Sequence, residues 1–384
     1  MEEERIRQLH QESFIWDFFP EGEMPLMKPR IQRVLEECLE AELSSPALLE
    51  AIDYARIQEL EENPTFREQM ADWWRQSGVN CVCVTVEGLE ASPGDTGRLM
   101  RDIARWHRRI QASGYMALVT GARSAEEVWR QGQVGIVFCM QDPVQLLQDL
   151  SILDALHGLG VRIIQITYNQ RNFIGDGCTE RTQTGLSHFG VEFVHRMNAL
   201  GIVIDLSHCG YQTTLDAIEV SERPVAVTHS FCRALRDHPR GKSDAQLRLL
   251  AERDGYMGIL AVPFFLADEP YPSISLVLDH IDHAVGIMGL KRVGIGTDWS
   301  GFSPDAPDWL REAIARSMSR MGFRPGHGTD TAVRPGGAYF LEMKHYTDWL
   351  AITRGLANRG YGEEAIRDVL GRNWLNFLQR TGLE

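Results

Sequence analysis

Two histidines occupy equivalent places in this chain. His208 stands two residues beyond the apolar run from Ile202 to Leu206, and His229 two residues beyond the run from Val225 to Val227. About a dozen helix-forming residues separate the runs, which reads as a parallel strand–helix–strand unit. Neighbouring strands of one sheet then carry the imidazoles side by side at their C-terminal ends. Such a pair suits a divalent metal or acid/base work, and the alternative is two polar residues capping the helices that follow. Asp298, in Gly-Ile-Gly-Thr-Asp, adds a carboxylate after another short apolar run. Imidazoles are the commonest zinc ligands, a bound metal lowers the pKa of its water to about 7, and a nearby aspartate can carry the proton to a leaving group. Arg240, in the loop DHPRGK, offers a fork for a substrate carboxylate or is a solvated loop residue. Cys209 is either a nucleophile or packing. No GxSxG elbow exists, so a serine triad has no support.

These residues need strands to place them. Apolar runs at 14–18, 79–86, 134–140, 161–167, 202–206, 225–227, 256–262 and 293–296 give eight strands, each apolar through its middle and hence buried on both faces. Helices are expected at 30–62, 94–111, up to 131 with Ser124 as N-cap, and at 143–159, 188–200, 244–253 and 274–288. Eight alternating units predict a (β/α)8 barrel, with the site at the C-terminal strand ends. An open doubly wound sheet is the alternative, weakened because no GxGxxG follows the first strand. The strand ends then supply Asp17 with Glu21, Glu87, Gln141 with Asp142, Tyr168 with Asn169, His208, His229 and Asp298. One barrel domain spanning 1–384 is expected, with 306–384 forming a mouth loop and closing C-terminal helices.

Of the 384 residues, 43% are hydrophobic and 24% charged, an ordinary globular composition. The net charge of −14 argues against nucleic acid or an anionic membrane as partner. No apolar h-region opens the sequence and no stretch approaches a membrane span, so a cytoplasmic protein is expected. The seven cysteines are scattered, which fits reduced thiols; Cys81 and Cys83 share one face of a strand.

The segments LGVRIIQITYNQRNFIGDGC, GLSHFGVEFVHRMNALGIVIDLSHCG, SERPVAVTHSFCRAL, DHPRGKSD, VGIGTDWSG and RGYGEEAIRDVLGRNWLNFL together resemble the membrane (renal) dipeptidase family from about residue 134 onward. The resemblance implies an amidohydrolase-like barrel, usually with two zinc ions, hydrolysis of dipeptides and related amides, and often a homodimer. By it, His208 and His229 match ligands of the second zinc, Asp298 the acid/base aspartate, and Arg240 the arginine at the substrate carboxylate.

Several positions depart from the pattern. Phe19 and Glu21 stand where the family's first strand carries a metal-binding His-x-Asp pair. Gln141 replaces the bridging glutamate, Tyr168 a substrate-contacting histidine, and Ser300 an aspartate. A phenyl ring cannot bind a metal, and a neutral amide cannot offset two dications about 3.5–4 Å apart. The expectation is therefore one zinc or none on His208 and His229, with Gln141, Glu21, Asp298 or water completing it. Asp298 and Tyr168 would be catalytic, and Arg240 and Asn169 would bind a small substrate carrying a carboxylate. A metal-independent isomerase or lyase using Tyr168, His208 and Asp298, and a non-catalytic ligand-binding relative, are the competing readings.

Overall fold

The computed structural model describes residues 1–20, 28–41, 45–87, 92–269, 271–299 and 339–383. Glu21, Ser300 and the expected mouth loop lie outside them. Nine parallel strands form one sheet: β1 (Trp16–Phe18), β2 (Cys81–Thr85), β3 (Met116–Leu118), β4 (Val134–Met140), β5 (Val161–Gln165), β6 (Val203–Asp205), β7 (Ala226–Ser230), β8 (Tyr256–Ile259) and β9 (Val293–Ile295). Their order is β1-β2-β4-β5-β6-β7-β8-β9, with β3 beside the start of β4. All eight expected strands are present, most of them shorter than their apolar runs. This is a (β/α)8 barrel. Among the described residues no helix is long and apolar enough to cross a membrane.

Alternation along the strands sorts the core into two layers. Trp16, Phe18, Cys81, Cys83, Val137, Cys139, Ile163, Val203, Ala226 and Tyr256 pack in one cluster. Their neighbours Val82, Val84, Ile136, Phe138, Ile164, Ile204, Val227 and Met257 pack in another with the surrounding helices. Trp374, on the closing helix Asn373–Thr381, meets Phe18 edge-on at 4.7 Å and Tyr256 at 4.9 Å, so this helix plugs the end where the strands begin. All seven cysteines are free and buried.

The ends of the sheet path meet through Asp17. Its carboxylate accepts Thr297 N–H (2.7 Å), the Thr297 hydroxyl (2.6 Å) and the Tyr346 hydroxyl (2.8 Å). Asp298 N–H donates to Phe18 O at 3.0 Å. Asp17 is fully buried and latches β1 to β9, so it does not open on the mouth as its place at a strand end suggested. Local readings are corrected too. The segment 30–62 is two helices, Pro29–Glu40 and Ser45–Glu62, and Pro64–Ser77 is a further helix. Ser124 is the third residue of the helix Ala122–Arg130; its hydroxyl reaches back to Thr120 and Gly121 N–H and does the work of a cap.

β7 loses register with β8 between Val227 and Ser230. There Thr228 O pushes toward β8 and β9, and a Cβ on Gly258 or on Gly296 would lie 2.0 Å from it. Both glycines are needed because a backbone atom fills the space a side chain would take. Gly296→Ala is expected to lower the unfolding free energy by about 1–3 kcal/mol through overpacking, read as a shifted urea midpoint. An unchanged midpoint would show that β7 can relax.

Candidate active site

The two histidines meet as the strand pattern predicted. His208 Nε2 and His229 Nε2 lie 3.1 Å apart, and both rings are buried. Each is held through its other nitrogen. His208 Nδ1 is 2.8 Å from Asn169 Oδ1 and His229 Nδ1 is 2.8 Å from Thr228 Oγ1, whose hydroxyl lies 2.6 Å from Asp205 Oδ2. Asp205, on β6, also accepts the Ser207 hydroxyl at 2.6 Å and the N–H groups of Ser207 and Thr228 at 3.0 Å each.

This chain has two proton arrangements. An ionised Asp205 only accepts, so Thr228 donates to it and takes His229 Nδ1–H in turn. Asn169 Oδ1 likewise takes His208 Nδ1–H. The two Nε2 lone pairs then face each other and require a cation between them. With Asp205 protonated the relay reverses, and His229 Nε2–H closes the pair by itself. Burial pushes the Asp205 carboxyl up. Burial, then Arg240, push both imidazoles well below their ordinary value, with Lys242 adding to this, so they are neutral at pH 7.

The pair suits a metal ligand set. Two nitrogens at 2.0–2.1 Å on a tetrahedral zinc lie about 3.3 Å apart, close to the separation found, and ligating histidines characteristically donate their second N–H to an oxygen. Among the described residues no third histidine, cysteine, aspartate or glutamate joins them. Asp298 is therefore not part of a ligand cluster. The donors fit one ion at two of its positions.

Phe19 and Tyr168 flank the imidazoles. Phe19 packs edge-to-face on His229 at 4.8 Å, and Tyr168 stacks on His208 at 4.1 Å with 19° between planes. Phe19 adopts φ +56° and Asp298 φ +51°, left-handed conformations that disfavour side chains by roughly 1–2 kcal/mol. They follow β1 and β9, the strands that meet at the latch.

The loop after β7 turns Arg240 and Lys242 under the site, and both are buried. Arg240, far from a solvated loop residue, donates from Nη1 to Ser207 O and from Nη2 to His229 O at 2.7 Å. Its Nε–H has no partner among the described residues. Lys242 Nζ donates to Cys209 O at 2.8 Å, and burial lowers it to about 8. Cys209 is no nucleophile: its thiol accepts from Thr167 Oγ1 at 3.2 Å and is pushed to about 11 by burial. Asn169, expected at the substrate, is buried and spends its carbonyl oxygen on His208. Asp298 is half-buried and raised to about 6 by burial, partly offset by Arg240.

Gln141 is buried at the end of β4. Gln165 ties its backbone to the site, donating to Gln141 O at 2.5 Å and accepting from His208 N at 3.3 Å. Glu87 accepts from the N–H groups of Gln141 and Asp142 through Oε1, and its Oε2 has no partner among the described residues. Sequence reasoning missed Asp205, Thr228, Gln165 and Lys242. An aspartate inside the apolar run IVIDL was the available signal for the first.

A family model described as membrane dipeptidase, peptidase family M19, matches residues 58–313. The chain belongs to this family. Over 187 residues it is 30% identical to dipeptidase verJ of Clonostachys rogersoniana, a match covering 47% of each chain. It is 35% identical over 161 residues to an uncharacterized dipeptidase of Schizosaccharomyces pombe, covering 41% of this chain and 39% of that one. The chain spans about half the length of the curated relatives it matches. Among solved structures, an amidohydrolase from Pseudomonas aeruginosa superposes with TM-score 0.72 at 24% identity, covering 98% of both chains. A metallopeptidase from Rhodobacter sphaeroides, liganded with a phosphinate mimic of the dipeptide L-Ala-D-Ala, superposes with TM-score 0.72 at 18% identity, covering 96% of this chain and 100% of that one. Both carry the same barrel.

Glu87 gives a test of the rim's electrostatics. Burial, the largest influence, raises it from 4.5 to about 8. A raised acid adds stability below its unfolded value that is lost as pH climbs through the folded one, here between about 4.5 and 8. Glu87→Gln should remove that share of the decline, gaining a few kcal/mol relative to the parent at pH 8.5 and little at pH 4.5, as read by urea unfolding at each pH. Parallel pH profiles for parent and variant would contradict it.

Proposed function

We propose that this chain hydrolyses a small amide with a free carboxylate, a dipeptide or a close relative, using one zinc ion on His208 and His229. The convergence of the two Nε2 atoms, each ring anchored through Nδ1, is the observation that carries this reading. Phe19 stands against His229 where a second ion would need a donor, and Gln141 offers no charge to bridge two, so the count stays at one. A bound ion would supply a water of pKa about 7 and polarise the amide carbonyl.

The chain's own residues supply the rest. Asp298, half-buried at the strand ends and lifted toward neutrality, accepts the water's proton and returns it to the departing nitrogen. The Tyr168 hydroxyl serves the carbonyl oxygen. Arg240 receives the substrate carboxylate side-on, through Nε–H and an outer Nη–H. The unpartnered buried Nε–H supports this, since leaving such a donor unmatched costs about 1–3 kcal/mol and an entering carboxylate offsets it. A metal-independent acid/base enzyme is the second reading, favoured by the proton arrangement in which His229 Nε2–H closes the imidazole pair without a cation.

Elemental analysis of protein purified without added metal separates the two. One equivalent of divalent ion, lost in the His208→Ala/His229→Ala double variant, is expected. Two equivalents would refute the single-ion site, and full turnover with none would favour the second reading. For the substrate, Arg240→Lys keeps the charge and removes the fork. It is expected to raise KM for a dipeptide about tenfold or more, a change of about 1.4 kcal/mol. An unchanged KM in both Arg240→Lys and Arg240→Ala would remove the carboxylate from the proposal.

A further inference from the structure

Four aromatic rings contact one another in succession at the site. Phe19 meets His229 at 4.8 Å, His229 meets His208 at 5.1 Å and 54°, and His208 meets Tyr168 at 4.1 Å and 19°. The inner two rings are the proposed ion ligands and the outer two are not. The hydrogen bonds at Nδ1 fix each imidazole at one atom. A ring held at one atom can still rock about that bond, which moves Nε2 most because it lies farthest from the anchor. Contacts on the ring faces and edges restrain that motion.

The backbone gives a second, independent observation. Phe19 is buried with φ +56°, a strained conformation for a phenylalanine, and it is held there by Phe19 N–H donating to Cys83 O at 2.9 Å. Strain retained at a mouth position points to a role for the side chain it presents. The ring also packs in the core cluster that holds Phe18 and Trp374, so it joins the barrel interior to the site.

We propose that Phe19 and Tyr168 are positioning residues that clamp His229 and His208 from outside and hold their Nε2 atoms convergent for a single divalent ion. The clamp rests on the one-ion reading, but its action on the rings does not depend on the metal. Hydrogen-bond partners behind ligating histidines change metal affinity by about 10–100-fold, and the ring contacts act on the orientation of the same imidazoles. Tyr168 then has two separable parts: the hydroxyl serves the substrate, and the ring serves His208.

The test uses the purified full chain, stripped of metal and titrated with cobalt(II), whose visible absorption reports ligand geometry. Tyr168→Phe keeps the ring and is expected to hold cobalt within about twofold of the parent with the same spectrum. Tyr168→Leu and Phe19→Leu keep apolar bulk and remove the ring; each should weaken cobalt binding about tenfold and shift the absorption bands. Tyr168 is half-buried, so its leucine variant tests the clamp even if Phe19→Leu fails to fold. Parent-like affinity and spectrum in the leucine variants would overturn the clamp. If the parent takes no cobalt, the one-ion reading fails and the clamp is read from the imidazole 15N resonances. Sharp signals for His208 and His229 in the parent and Tyr168→Phe, broadened in the leucine variants, would support it; sharp signals in every variant would overturn it.

Discussion

The site depends on two imidazole nitrogens held 3.1 Å apart inside a protein. Where both nitrogens carry lone pairs they repel, and where one carries a proton they share a hydrogen bond. In either state each ring is tied from behind, His208 by Asn169 and His229 by Thr228 and Asp205. The ties in turn constrain the barrel. Asp205 draws in the backbone N–H groups of both Ser207 and Thr228, which joins β6 to β7 at the level of the site. Thr228 can take that position only because Gly258 and Gly296 leave room for its carbonyl. Arg240 gathers the carbonyls of Ser207 and His229, and Lys242 that of Cys209.

Charge follows the same logic. Two buried cations lie beneath neutral imidazoles, while Asp205, Asp298, Glu87 and Asp142 are all pushed upward by burial. On the one-ion proposal, an entering dication would meet Arg240 and Lys242 as like charges, and carboxylates ionising as it arrived would compensate for them.

The barrel was legible in the sequence because its strands are buried on both faces, and continuous apolar runs such as VGIVFCM mark that directly. β3 was not, being three residues lodged between two helices. The imidazole pair was legible because equal spacing after two strands fixes equal positions in space. The roles of Asp205, Thr228 and Asn169 were not, since a polar residue in a strand reads the same whether it faces substrate or holds a histidine. Arg240 shows the limit in the other direction: its position marked it for function, yet only the fold reveals that two of its donors hold backbone carbonyls.

The barrel seam ties strain to chemistry. β1 and β9 are only three residues long, and each is followed within three residues by a left-handed non-glycine, Phe19 and Asp298. Asp17 takes both the N–H and the hydroxyl of Thr297, Phe18 O takes Asp298 N–H, and Cys83 O takes Phe19 N–H. With the backbone pinned on both sides of the seam, each chain must leave its strand by a sharp turn. An aspartate adopts that conformation more readily than most residues, and a phenylalanine resists it. The turn at β9 brings the Asp298 carboxylate within the field of Arg240, and the turn at β1 lays a phenyl ring on His229. Closing the barrel and aiming the site are thus one structural event, and a substitution that relaxed either turn would loosen both.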